Sequence, residues 1–176
     1  MVVISLVMLV LTSGFSVQIQ RWNLKNTAKA SAKEMFAQID VILSANQEEL
    51  TRTVEEYAET CLLHADNVAY ILKMNPEAIE DVDELKKIAA FVGVDEIHIF
   101  DETGKIYAGT EPSYYGYTLD SGEQMAFFKP LLFSKNARLV QEVTPNTAEN
   151  KPMQYSAIWS EDGTYIVQVG LEPVHI

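Results

Sequence analysis

Cysteine is nearly absent: Cys61 stands alone, so no disulfide can close within the chain, and its place in a helical pattern makes it a small buried hydrophobe. Histidine is also scarce, with His64, His98 and His175 far apart in sequence. There is no glycine-flanked nucleophile, phosphate-binding loop or paired metal-ligand spacing, so no enzyme, catalytic residue, metal or cofactor is expected. Bases are few after residue 33. The first 33 residues hold Arg21, Lys25, Lys29 and Lys33 and no acid, while the remainder holds nine bases against 25 acids, a net of −16. Such a body lacks the basic footprint that displaces counterions from phosphates, which sets nucleic acid aside as a partner. The acids Glu55-Glu56, Glu80-Asp81, Asp83-Glu84 and Glu161-Asp162 fall on helix surfaces or turns, where solvation accounts for them.

Charge is missing altogether from residues 1 to 20, where Val2, Val3, Ile4, Leu6, Val7, Met8, Leu9, Val10 and Leu11 form an almost unbroken apolar block. Twenty helical residues reach about 30 Å, the thickness of a bilayer core, so residues 1–20 read as a transmembrane anchor. The alternative is a cleaved signal, with Thr12-Ser13-Gly14 as the small residues a peptidase needs. The four bases that follow favour a cytoplasmic C-terminal side, whereas a large domain crosses regardless of such flanks, so charge alone leaves the orientation open.

Proline and glycine are both missing from residues 22 to 74, and apolar residues recur there every three or four positions. Phe36, Leu43, Leu50, Tyr57, His64 and Ile71 fall seven apart, with Ile39, Val54, Cys61 and Val68 beside them. The pattern predicts one long amphipathic helix over 21–74 that continues from the anchor. A homodimer seam over residues 22 to 50 and a cover for the domain beyond them are its two readings. Asn75 as cap and Pro76 as first helical residue start a second, shorter helix that ends at Gly93. Beyond Gly93 the period falls to two. Strands are predicted at 96–101 and 105–110 around Asp101-Glu102-Thr103-Gly104, at 138–144, and at 153–160 and 164–171 around Asp162-Gly163. A tyrosine-rich loop (112–122), a short segment (123–133) and a polar loop (145–152) fill the gaps. The fold class is α+β: a membrane helix continues into a long helix that backs a five-stranded antiparallel sheet.

That order, with the segment Val94-Asp95-Glu96-Ile97-His98-Ile99-Phe100-Asp101-Glu102-Thr103-Gly104-Lys105-Ile106-Tyr107, Tyr115-Gly116-Tyr117 in the mid loop and Val169-Gly170-Leu171-Glu172-Pro173 at the end, resembles the single Cache family. These are PAS-like (PDC-type) extracytoplasmic sensors of bacterial transmembrane receptors. The resemblance spans about residues 22 to 176. It implies a sensor domain over 75–172, an exit segment beginning at 173–176 toward a second membrane helix, and an output such as a histidine kinase, cyclase, phosphatase or chemoreceptor. The arginine followed closely by Trp-Tyr that marks amino-acid binding in double Cache domains does not occur, so that ligand class is not carried over.

Strand alternation divides the sheet into two faces. Ile97, Ile99, Ile106, Ala108, Ile158, Tyr165, Val167 and Val169 fall on one, which would pack on the long helix. His98, Phe100, Lys105, Tyr107, Tyr155, Ala157, Trp159, Ile166 and Gln168 fall on the other. Aromatics with a few polar tips suit a small-molecule pocket, and Tyr114, Tyr115, Tyr117, Met125, Phe128 and Lys129 of the mid loop would close over it. The candidate ligand-binding residues are therefore His98, Phe100, Tyr107, Tyr115, Tyr117, Met125, Phe128, Lys129, Arg138, Tyr155, Trp159 and Gln168. For a ligand bearing a carboxylate, Arg138 is the first choice as partner, with Lys129 or His98 next. Two other readings stand beside the sensor: an acidic patch at 77–84 meeting cations or a membrane surface, and a structural pilin-like protein, although Ser5 stands where pilins place a glutamate.

Overall fold

The computed structural model describes the backbone of residues 2–175 and the side chains of 13–174, and it divides into two units, residues 1–52 and 53–176. The anchor expected over residues 1–20 falls mostly on side chains outside those described. Among the described residues no helix is long and apolar enough to cross a membrane. The long helix α1 (Val2–Met74) contributes to both units. In the first unit every described side chain is exposed, among them Trp22, Phe36, Ile39, Leu43 and Leu50.

In the second unit α1 buries Cys61, Ala65, Val68 and Leu72, whose spacing of four, three and four residues keeps them on one helical face. His64 and Ile71 flank that face half-buried, and Tyr57 is exposed, so the row of residues seven apart borders the contact and does not form its centre. A 3₁₀ turn (Pro76–Glu80) precedes α2 (Val82–Val92). The cap of α2 is Asp81 and not Asn75: Asp81 Oδ1 accepts from the backbone N–H groups of Asp83 (3.0 Å) and Glu84 (3.1 Å), while the Asn75 side chain makes no capping bond. The extended backbone of Asp81 interrupts the winding that Pro76 begins, and a new helix starts there. Gly93 ends α2 in the left-handed region.

The strands are β1 (Glu96–Phe100), β2 (Ile106–Gly109), β3 (Arg138–Val140), β4 (Thr144–Pro145), β5 (Pro152–Trp159) and β6 (Ile166–Leu171). All pairs are antiparallel, in the order β2-β1-β6-β5-β3, and the two-residue β4 adds to β5 where the predicted strand 138–144 meets the polar loop. A short helix α3 (Glu123–Ala126) sits in the mid loop.

The sheet separates two apolar cores. On the helix side Ile97, Ile99, Ala108, Ile158, Val167 and Val169 pack with the buried face of α1 and with Leu85, Ile88 and Ala89 of α2. On the other side Phe100, Tyr155, Ala157, Trp159 and Ile166 pack with Tyr114, Leu119, Met125, Phe128 and Leu131 from the mid loop. One hairpin departs from strict alternation. Ile99 pairs with Ala108 but Phe100 pairs with Ile106, leaving Tyr107 as the extra residue of a bulge. The bulge reverses β2 beyond it: Ile106, expected against the helix, joins the aromatic core, and Tyr107, expected among the aromatics, is exposed. The mid loop is tied to β2 by two backbone bonds, Ile106 N–H to Tyr117 O (2.8 Å) and Gly116 N–H to Ile106 O (2.9 Å).

Candidate functional site

On the face away from α1, His98 of β1, Gln168 of β6 and Tyr155 of β5 form a floor. β1 and β6 place His98 directly opposite Gln168, and β6 and β5 place Tyr155 opposite Gly170. Gly170 is needed there: a Cβ would come within 2.5 Å of the Tyr155 ring, so only a bare backbone lets the ring approach β6 this closely. Above the floor, Tyr114 and Tyr117 of the mid loop, Gln124 and Met125 of α3, and Asn146, Thr147 and Ala148 of the β4–β5 loop close a cavity of about 20 Å³, room for a water molecule or two.

The floor rests on a buried acid. Glu96 Oε2 accepts from Tyr155 OH at 2.7 Å and from His98 Nε2 at 3.1 Å. Burial by itself would raise the Glu96 carboxyl, but the bonds from His98 and Tyr155 and the nearby charges of His98 and Lys151 outweigh it and hold the group below the ordinary carboxylate value, ionised. Tyr155 and Tyr114 are pushed up, first by burial and then by the charge of Glu96. Ring contacts join the cluster: His98 to Tyr114 at 5.2 Å, His98 to Tyr155 at 6.1 Å, and Tyr114 stacked on Tyr117 at 6.2 Å.

Cover and floor differ in how their polar atoms are satisfied. In the cover, Gln124 Nε2 donates to Gln141 Oε1 (3.0 Å), Gln141 Nε2 donates to Gln124 O (3.2 Å) and Thr147 Oγ1 donates to Gln124 Oε1 (3.3 Å). Asn146 Oδ1 accepts from the backbone of Glu149 and Lys151, which folds the β4–β5 loop down. In the floor, His98 Nδ1 and Gln168 Nε2 are buried without a partner, on residues only 2% and 3% exposed.

The structure brings His98, Tyr117, Met125, Tyr155 and Gln168 of the twelve candidates to this cavity. Phe100, Phe128 and Trp159 pack in the core around it, Trp159 with its Nε1–H donated to Leu131 O (2.8 Å). Four candidates stand elsewhere. Tyr107 and Tyr115 line an open groove of about 480 Å³ with Pro76, Ile79 and Glu80. Lys129 pairs with Asp120 at 2.5 Å on the surface. Arg138, 46% exposed, forms a two-pronged pair with Asp66 of α1 (2.9 and 2.6 Å) beside a second groove, of about 380 Å³. A further groove of about 370 Å³ runs past Lys73, Ser160 and Asp162. Ile106, Tyr114, Gln124, Asn146, Thr147 and Ala148 line the cavity without having been among the candidates. Those in loops have no period to betray them, and only the tyrosine-rich composition around Tyr114 gave a signal.

No protein-family model matches the sequence, and no curated relative matches it. Solved structures do match. The Bacillus subtilis YkuI protein, which has an EAL domain and was solved with c-di-GMP and calcium, is 14% identical with a TM-score of 0.55, over 73% of this chain and 35% of that one. The sensor domain of the V. cholerae histidine kinase DctB is 14% identical with a TM-score of 0.48, over 78% and 58%. The ligand-binding domain of the Campylobacter jejuni chemoreceptor Tlp3, in complex with L-valine, is 13% identical with a TM-score of 0.45, over 74% and 56%. This chain thus spans from about a third to under three fifths of these proteins. At 14% identity and a TM-score of 0.55 the likeness to YkuI is one of fold alone; in this chain the fold is a helix-backed antiparallel sheet whose other face is aromatic and covered by the mid loop.

Proposed function

We propose that this chain is the extracytoplasmic, small-molecule-sensing part of a bacterial membrane receptor, and that it binds its ligand between the sheet and the mid loop. One observation carries the reading: a cavity with a polar floor, roofed by two loops, lies on the sheet face that the helix leaves free. Two buried nitrogens without a partner, His98 Nδ1 and Gln168 Nε2, belong to residues that line it. The cavity is small, so a ligand enters by lifting the mid loop and the β4–β5 loop, and binding shifts the balance between lifted and closed forms through its differential affinity for them. In this reading residues 1–20 anchor the chain in the membrane, the exposed apolar residues between 22 and 50 pair two copies, and β6 passes the movement to the segment beyond 173.

A thermal-shift screen of the full chain in detergent, against amino acids, organic acids and nucleobases, tests it. A ligand at about a hundred times its Kd adds about 2.7 kcal/mol, or about 5–10 °C for a chain of this size. Met125→Trp, which fills the cavity, should abolish the shift while the protein stays folded. A ligand that still binds this variant with unchanged affinity places the site elsewhere and refutes the proposal.

A further inference from the structure

The roof of the cavity and the end of the sheet meet at one residue. Asn146 and Thr147 of the β4–β5 loop line the cavity, and Lys151 ends that loop immediately before β5. Asn146 binds the root of the loop twice. Its side-chain Oδ1 accepts from Lys151 N–H at 3.3 Å, and its own N–H donates to Lys151 O at 2.8 Å. The Lys151 ammonium then reaches out of the loop and pairs with the carboxylate of Glu172, the first residue after β6. The two side chains are 38% and 31% exposed, so water screens the pair only in part.

The floor reaches the same residue from below. Glu172 N–H donates to Asp95 Oδ2 at 2.8 Å, and Asp95 N–H donates to Gly170 O at 2.9 Å. Asp95 adjoins Glu96, the acid that Tyr155 and His98 hold beneath the cavity. Glu172 is thus gripped by its side chain from the roof and by its backbone from the floor, at the point where the chain leaves β6.

We propose that Lys151 and Glu172 form a clamp that ties the roof of the cavity to the exit from β6. With the roof closed the clamp holds Glu172 against the sheet, and lifting the roof draws Lys151 away and releases it. The clamp rests on the sensor reading, in which a ligand is what lifts the roof. A ligand that favours the lifted form frees the segment after β6, and one that favours the closed form secures it.

The test needs no ligand, so its failure is separate from a failure of the cavity to bind. Hydrogen exchange of the backbone amides is followed residue by residue in the full chain in detergent. Asn146→Ala, which loosens the roof at its root, should speed exchange at Glu172 about fivefold or more and leave Gly163, in the hairpin at the opposite end of β6, unchanged. Lys151→Met should speed Glu172 to a similar extent, and adding Asn146→Ala to it should bring no further increase, because the link is already cut. An unchanged Glu172 in Asn146→Ala overturns the clamp. So does equal acceleration of Gly163, which is general loosening, and so do two effects that simply multiply in the double variant, which makes them independent. Coupling is reciprocal, so Glu172→Gln reads it from the other end in case Asn146→Ala does not fold. The Glu149 amide, bound to Asn146 Oδ1 at 2.9 Å, should then exchange about fivefold faster or more, and an unchanged Glu149 overturns the proposal as well.

Discussion

Tyr155→Phe removes one oxygen and keeps the ring, which makes it the cleanest probe of the buried cluster. The lost hydroxyl is one of two side-chain donors to Glu96 Oε2, at 2.7 Å, in a place with little access to water. A hydrogen bond to a charged group is worth about 1.5–3 kcal/mol, and for a chain of this size each kcal/mol moves the melting temperature about 2–4 °C. The variant should therefore melt about 3–12 °C lower at pH 7. The loss should also depend on pH. The folded Glu96 carboxyl lies below its ordinary 4.5, so its ionised form contributes stability that is fully present above the unfolded value and lost as pH falls through the folded one. Without the tyrosine donor Glu96 is held down less, and the gap between wild type and variant should shrink as pH drops below about 4.5. Urea unfolding followed by Trp159 fluorescence, in a Trp22→Phe background, measures both effects. A loss below about 0.5 kcal/mol at pH 7, or an equal loss at about pH 3, would falsify the claim that a charged acid lies beneath the floor.

Gly170→Ala should drive the Tyr155 ring off β6 and cost about 1–3 kcal/mol by overpacking, whereas an alanine tolerated within about 0.5 kcal/mol in urea unfolding would contradict the close approach. Asp81→Ala should cost about 1 kcal/mol through the lost cap and Asn75→Ala almost nothing, and the reverse order in thermal melts would restore Asn75 as the cap. Breaking the exposed pair with Arg138→Ala should cost at most about 1 kcal/mol and leave ligand affinity unchanged, and a large loss of affinity in calorimetry would bring Arg138 back into the site. Burial pushes the Cys61 thiol up to about 11, so it should react with a disulfide reagent about a hundredfold more slowly in the folded protein than in urea, and comparable rates would mean that α1 lifts readily from the sheet.

What could be read from the residues follows from which features repeat. The division of β1, β5 and β6 into an aliphatic and an aromatic face was legible because a strand alternates strictly, and Ile97, Ile99, Val167 and Val169 against Tyr155, Trp159 and Gln168 obey it. The rule failed at Tyr107, where one inserted residue turns the rest of β2 over, and nothing in Lys105 to Thr110 marks a bulge. The pairing of Arg138 was hidden for another reason. Its partner Asp66 lies 72 residues earlier, on a helix whose charges all resemble solvated surface. Asn146 and Gln124 escaped because buried amides in loops look like exposed ones until the chain closes around them. The acid beneath the floor was equally hidden: Glu96 opens a strand in an acidic protein, and only the fold shows that Tyr155 and His98 converge on it.

The tether between Ile106 and the pair Gly116 and Tyr117 reaches beyond any question of ligand. β2 is the margin of the sheet, and an unprotected margin invites a neighbouring molecule to add its own strand. Here the protein's own mid loop occupies that position. Whatever prises the loop loose exposes a sticky border, so a variant with a slack loop should reveal itself first as a protein that clumps.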